Sequence, residues 1–353
     1  MTNEYLHAAV ELLQKLIPIP SVSRQEKEAA DLLQQTMMEY GLSPHRVGNN
    51  LWVESTNCKD NSPTILLNAH IDTVKPVSSW IRNPYAATLE DNRLYGLGSN
   101  DCGGGLVSLL QVFRFLSERE QPYHLIYLAS AEEEVSGENG FRRVLPLLPS
   151  IDVAIVGEPT GMQPAVAEKG LMVLDLIAKG KSGHAARSEG INAIYKMLDD
   201  LVWLRDYRFE KVSDLLGPTI MNVTMVNAGT QHNVIPDKCT AVVDIRTNEL
   251  YDNEEVLSFI QSHVSCEVHA HSTRLSSSHI SNHHPIVKRC LEMGMRPYGS
   301  PTLSDQALMP FPSLKLGPGE SARSHSADEF IMVSEIDDAI KKYILLLDGL
   351  FIS

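Results

Sequence analysis

Residues 64–70 read TILLNAH, an apolar run that stops on a histidine, and two later stretches share its form: HLIYLAS at 124–130 and DVAIVGE at 152–158. Short runs rich in Ile, Leu and Val and bounded by polar residues are strand signals. Between the first two lies GLVSLLQVFRFL (105–116), whose apolar residues recur at helical spacing, so a helix is predicted to start after Asp101. A second helix is predicted near 138–148, ahead of the third strand. Strands separated by helices define an α/β fold, a mainly parallel sheet with helices on both faces.

The pattern extends in both directions. Upstream, Leu6, Val10, Leu13 and Ile17 predict an amphipathic helix over 4–17, and a second helix over 24–40 is stopped by Gly41. From about residue 166 the texture changes. LMVLDLIAKG (171–180), TIMNVTMVNAG (219–229) and CTAVVDIRT (239–247) read as strands, with helices near 190–206 and 252–262. This suits an α+β layer, a sheet with helices on one face. After about 278 the α/β texture returns, with a strand at 312–316 and a last helix near 334–349. The predicted organisation is a main domain in two parts, 1–165 and 278–353, interrupted by an inserted domain at 166–277.

Bulk composition narrows the function classes. A chain of 353 residues exceeds the usual size of one core, and 43% hydrophobic with 21% charged residues is ordinary for a globular protein. The formal charge of -14, with no basic run, disfavours nucleic acid and anionic membranes as partners. The five scattered cysteines form no C-x-x-C pair, which argues against a disulfide framework and suits a reducing cytoplasm. Neither a signal peptide nor an apolar span of the ~20 residues needed to cross a bilayer is expected.

Metal-type residues sit where predicted strands end, the place where open α/β sheets bind ligands. His70 ends the first strand, Glu132, Glu133 and Glu134 follow the second, and Glu158 ends the third. Asp101 opens a helix after a glycine-rich turn, and His325 lies in a late loop. A lone histidine or glutamate at such a place is usually structural, but carboxylates gathered in a cleft repel one another unless a cation offsets them. Two zinc-type ions about 3.5–4 Å apart, sharing one carboxylate and holding two further ligands each, need five residues. His70, Asp101, Glu134, Glu158 and His325 supply five, leaving Glu133 free as a general base and Asp72 to support the His70 ring.

Competing motifs fail on inspection. GLGSND (96–101) has Asp101 where a dinucleotide fingerprint needs its third glycine, and GKS (180–182) lacks the P-loop glycine, Asp175 standing there instead. Neither H-E-x-x-H nor G-x-S-x-G occurs.

LLNAHIDTV (66–74), GLGSNDCGGG (96–105), SAEEEVSG (130–137), IVGEPT (155–160), SGHAARSEGINAI (182–194), DIRTNE (244–249) and GPGESARSHSADEF (317–330) resemble, in order, the motifs of a co-catalytic zinc family. That family includes acetylornithine deacetylase, succinyl-diaminopimelate desuccinylase, glutamate carboxypeptidases and dipeptidases. The resemblance implies that His70 and Glu158 hold one metal, Glu134 and His325 the other, and that Asp101 bridges them. It implies Glu133 as general base, Asp72 as supporting acid, and zinc as the metal, with cobalt or manganese as alternatives. The inserted segment resembles a lid that also forms a homodimer interface. In it, His184 matches a residue that holds substrate or steadies an oxyanion, and Asn233 and Arg246 match contacts to the substrate carboxylate.

The branch most resembled is acetylornithine deacetylase. The expected substrate is therefore an N-acetyl or N-succinyl ornithine or citrulline, cleaved in arginine biosynthesis. Succinyl-diaminopimelate desuccinylase, an acyl-lysine deacylase and a dipeptidase are the alternatives. An inactive metal- or amino-acid-binding relative is the non-enzyme rival, and the presence of Glu133 disfavours it. Two positions depart from the family pattern: Cys102-Gly103-Gly104-Gly105 stands where a lysine usually precedes the glycines, and Ser188 replaces a common proline. His269 and His271, and the pair His283 and His284, are read as surface residues.

Overall fold

The computed structural model describes residues 2–58, 61–187 and 189–352, so Ser188 lies outside the described residues. The chain forms two compact units, one of 1–166, 279–298 and 304–353, the other of 167–278 and 299–303. Residues 299–303, expected with the first unit, group with the second, where the Ser300 carbonyl accepts the Lys169 N–H at 3.2 Å.

In the first unit, strands run across one sheet in the order His45–Val47, Asn50–Glu54, His124–Ser130, Thr64–His70, Val153–Val156 and Ser313–Lys315, with Ala165 pairing with Lys315 at the end of that order. The three central pairings are parallel, and the pairings toward both edges are antiparallel. Every residue of Thr64–His70 is buried. The reason is two-sided cover, which also explains why this strand reads as an unbroken apolar run. The helix Gly104–Ser117 packs on one face, flanked by Thr2–Leu16 and Val333–Leu347. On the other face Leu66, Ile126, Leu128 and Ala154 meet Trp52, Phe141 and Val144.

Register places the chemistry. His70 pairs with Ser130, and Asn68 with Val156, so His70, the glutamate run and Glu158 all leave the sheet at one edge. Asp101 reaches that edge through a close backbone approach. A Cβ on Gly105 would lie 1.8 Å from the Gly157 carbonyl oxygen, so only glycine lets the helix start sit against the end of the Val153–Val156 strand. The helix expected near 138–148 is shorter: α-helix covers Phe141–Val144, followed by a tight turn over Leu145–Leu147. Pro146 in that turn has no N–H to continue a helix.

The second unit is a four-stranded antiparallel sheet in the order Ile220–Ala228, Lys238–Arg246, Met172–Lys179, Glu267–Ala270. Met172, Leu174, Leu176 and Ala178 alternate along one strand and bury against Met197 and Leu204 of the helix Ala193–Asp206 and Val256 and Ile260 of the helix Asn253–His263. Helices thus cover one face. Asn192 and Asp252 cap these helices, accepting the N–H groups of Ile194 and Glu254.

Candidate metal centre

His70 is nearly fully buried, and its ring is pinned on one side. Nδ1 lies 2.8 Å from the Asp72 backbone carbonyl and 3.6 Å from the Asp72 carboxylate. A carbonyl only accepts, so Nδ1 donates to it and Nε2 turns its lone pair the other way. There it faces Asp101 Oδ1 at 3.2 Å and Glu158 Oε1 at 3.7 Å. A lone pair aimed at two carboxylates is repulsive unless a proton or a cation lies between. Burial opposes charging this ring, yet Cys102, Asp101 and Glu133 around it hold its pKa well above the ordinary value.

The second oxygen of Asp101 faces a second imidazole. Asp101 Oδ2 lies 3.6 Å from His325 Nε2, which also sits 2.9 Å from Glu134 Oε2. One carboxylate therefore stands between two histidines, each accompanied by its own glutamate. His325 adopts a left-handed backbone (φ 57°), which turns its ring inward from a half-exposed loop. The Glu134 carboxylate beside it raises its pKa to about 9.

The glutamate run divides by direction. Asp72 accepts the backbone N–H groups of Glu133 at 3.0 Å and Glu134 at 3.2 Å, and a 2.7 Å bond from the Ser23 hydroxyl. This holds the turn Glu133–Val135 against the end of the His70 strand. The Asp72 carboxylate thus grips the glutamate turn more closely than the His70 ring. Glu132 turns away, its carboxylate taken by Asn139. Burial, with Glu158 and Asp305 as negative neighbours, pushes the Glu133 carboxyl well above the usual range. Burial and Asp101 likewise raise Glu158 to about 8.

Two supporting acids were not singled out from the sequence. Glu329 is buried and accepts the backbone N–H groups of Gly98, Asn100 and Asp101 at 3.1, 2.8 and 2.9 Å, fixing the loop that carries Asp101. Asp305 is buried and accepts from Asn68 at 3.0 Å and Ser130 at 2.6 Å, tying together the two central strand ends. Glu329 follows His325 by four residues, so its motif was in view. Asp305 lies in a stretch with no periodic signal at all.

The donor set fits divalent cations. One ligand atom each from His70, Asp101 and Glu134 lies within 4.8 Å of the others, and the same holds for His70, Cys102 and Glu158. Glu158 Oε1 is buried with no hydrogen-bond partner among the described residues, an acceptor left for a cation.

The residues expected in the inserted segment lie apart from this cluster in the chain. His184 is exposed and accepts the Ala186 N–H at 3.1 Å, while the Asn233 carbonyl accepts from Ala185. The pairing of Gly183–His184 with Val234–Ile235 makes these two neighbours. Arg246 lies on another strand, gripped by both oxygens of Asp244 at 2.8 and 3.1 Å. His271 contacts Asp175 at 3.0 Å, His269 lies 4.0 Å from Glu267, and His284 caps the helix Pro285–Glu292.

Imidazoles and carboxylates converging at the edge of a parallel sheet define a metal-dependent hydrolase. Residues 66–348 match peptidase family M20/M25/M40, and the chain belongs to that family. Acetylornithine deacetylase of Klebsiella pneumoniae is 34% identical over 261 residues, 67% of each chain. Succinyl-diaminopimelate desuccinylase 2 of Ruegeria sp. is 25% identical over 292 residues, 76% of this chain and 73% of that one. Among solved structures, aminopeptidase PepT from Bacillus cereus has a TM-score of 0.78 at 18% identity, over 97% of this chain and 98% of that one. The Bacillus subtilis YXEP protein, described as a dinuclear metal binding peptidase, has a TM-score of 0.73 at 17% identity, over 98% of each chain. At these identities the structural likeness establishes the fold.

Glu329→Ala removes the acceptor from three backbone N–H groups of the Asp101 loop. Its metal affinity is expected to fall about 10–100-fold in a chelator-competition titration. Glu329→Gln, which keeps one acceptor oxygen, should lose less. Unchanged affinity in Glu329→Ala would mean that the loop holds Asp101 without this carboxylate.

Proposed function

We propose that the chain hydrolyses the amide bond of a small N-acyl amino acid, with N-acetyl- or N-succinyl-ornithine or -citrulline as the favoured substrates. The observation that carries the chemistry is Asp101 between His70 and His325, with Glu158 and Glu134 beside them. In this reading His70 and Glu158 hold one cation, Glu134 and His325 the other, and Asp101 both. Bound there, zinc, cobalt or manganese would polarise the acyl carbonyl and lower the pKa of water toward about 7. Glu133 accepts a proton from the attacking water and delivers it to the leaving amine nitrogen, giving one carboxylic acid and one amine. Asp72 keeps its turn in place. His184, Asn233 and Arg246 are assigned to the substrate on the motif resemblance alone.

Relatives named acetylornithine deacetylase reach 31–34% identity, against 25–27% for the desuccinylases, which supports the ornithine-type substrate and a place in arginine biosynthesis. Described cysteines carry no disulfide, which suits the cytoplasm. No helix among the described residues is long and apolar enough to cross a membrane.

A homodimer through the second unit is part of the same proposal. Tyr195, Leu198 and Val202 form an exposed stripe on the helix Ala193–Asp206, and the edge strand Ile220–Ala228 exposes Val223, Met225 and Val226. An apolar edge of this kind is an association surface or a liability. Leu198→Asp combined with Met225→Asp should convert a dimer to a monomer in light scattering. A monomeric wild type would remove this part of the proposal.

For the chemistry, Glu133→Gln should keep its metal content while kcat falls about 10²–10⁴-fold. Full turnover would exclude Glu133 as the base. A hydrolysis screen of N-acetyl and N-succinyl derivatives of ornithine, citrulline, lysine and diaminopimelate, with dipeptides beside them, tests the substrate. Preference for a dipeptide would overturn the deacylase reading.

A further inference from the structure

Cys102 is 1% exposed and sits on the floor of the centre. Its Sγ accepts the His70 N–H at 3.2 Å and lies 3.5 Å from the His70 carbonyl oxygen. Both contacts are to the His70 backbone, and the ring of the same residue faces Asp101 and Glu158 with its Nε2. A ring nitrogen of His70, Cys102 Sγ and a Glu158 oxygen all fall within 4.8 Å of one another. Donor atoms around a tetrahedral zinc are spaced roughly 3.5 Å apart, given metal–ligand bonds near 2.0–2.3 Å. Glu158 Oε1, buried without a hydrogen bond among the described residues and 3.7 Å from His70 Nε2, is the second sign that the triangle faces a cation.

We propose that Cys102 is a sulfur donor to the cation held by His70 and Glu158, so that this centre mixes thiolate with imidazole and carboxylate. The inference rests on the two-cation reading above. When the cation enters, the Sγ–H bond breaks, the proton leaves to solvent and a sulfur lone pair forms the new bond. A soft sulfur donor favours thiophilic ions over manganese or magnesium, which prefer oxygen. The competing role for Cys102 is packing at the helix start, with its sulfur accepting the His70 backbone N–H and its S–H donating to the His70 carbonyl oxygen.

The test uses the full chain, stripped of metal and loaded with Co²⁺. The wild type should show a thiolate-to-cobalt charge-transfer band in the near ultraviolet in addition to the visible cobalt bands. Cys102→Ser and Cys102→Ala should lose the charge-transfer band and keep the visible ones. In competition titrations Cys102→Ser should bind Cd²⁺ about 10–100-fold more weakly, with Mn²⁺ unchanged. Visible cobalt bands without a charge-transfer band in the wild type would overturn the proposal and leave the two-cation reading standing. A charge-transfer band that survives in Cys102→Ser would also overturn it, by assigning the band to another cysteine. Failure of Co²⁺ to bind the wild type would overturn both readings. Absence of the band in the wild type overturns the proposal even if neither variant folds, and its presence is assigned to Cys102 by the folded variant.

Discussion

One partly buried carboxylate, Asp101, stands between two imidazoles, and most of what surrounds it keeps it there. Its two oxygens point at His70 and His325, at 3.2 and 3.6 Å. Glu133, Glu134, Glu158, Asp72, Asp305 and Glu329 add further acids to the same sheet edge. Like charges gathered out of water raise one another's pKa values or demand a counter-charge. Burial is the first cause of the raised values of Glu158 and Glu329, both about 8, and a counter-charge relieves it. A pair of divalent cations supplies that counter-charge directly.

The fold meets this electrostatic cost with backbone as much as with side chains. Glu329 binds three N–H groups of the Asp101 loop, and Asp72 binds those of Glu133 and Glu134. Glu329 and Asp72 thus hold acids that face the cluster's centre, while Asp305 holds Asn68 and Ser130. Gly105 against Gly157 adds the close approach that brings the Asp101 loop to the Glu158 strand. A single supporting carboxylate, distant in the chain, therefore controls the geometry of a ligand, which is why such positions influence metal affinity.

Much of this was legible in the sequence, for a physical reason. Parallel strands buried on both faces are apolar throughout, so the polar residues that end them stand out. His70, Glu133, Glu134 and Glu158 were visible in that way, and the helix after Asp101 followed from its periodicity. The turn over 138–148 was less legible, because apolar spacing continued past Gly140 and Pro146 where the helix could not. Asp305 and the three N–H bonds of Glu329 were not legible. Their partners lie more than 170 residues away in the chain, and a long-range hydrogen bond leaves no local pattern. The Cys102 contact with His70 is of the same kind: the sequence showed a departure from the family pattern, and only the packing showed what the sulfur touches.

The central claim is that Asp101 is shared by two cations. Isothermal titration of the metal-free chain with Zn²⁺, run beside Asp101→Ala and His325→Ala, tests it most directly. The account predicts two equivalents in the wild type, one in His325→Ala and a severe loss of both in Asp101→Ala. A single equivalent in the wild type, or two tight equivalents retained by Asp101→Ala, would contradict it.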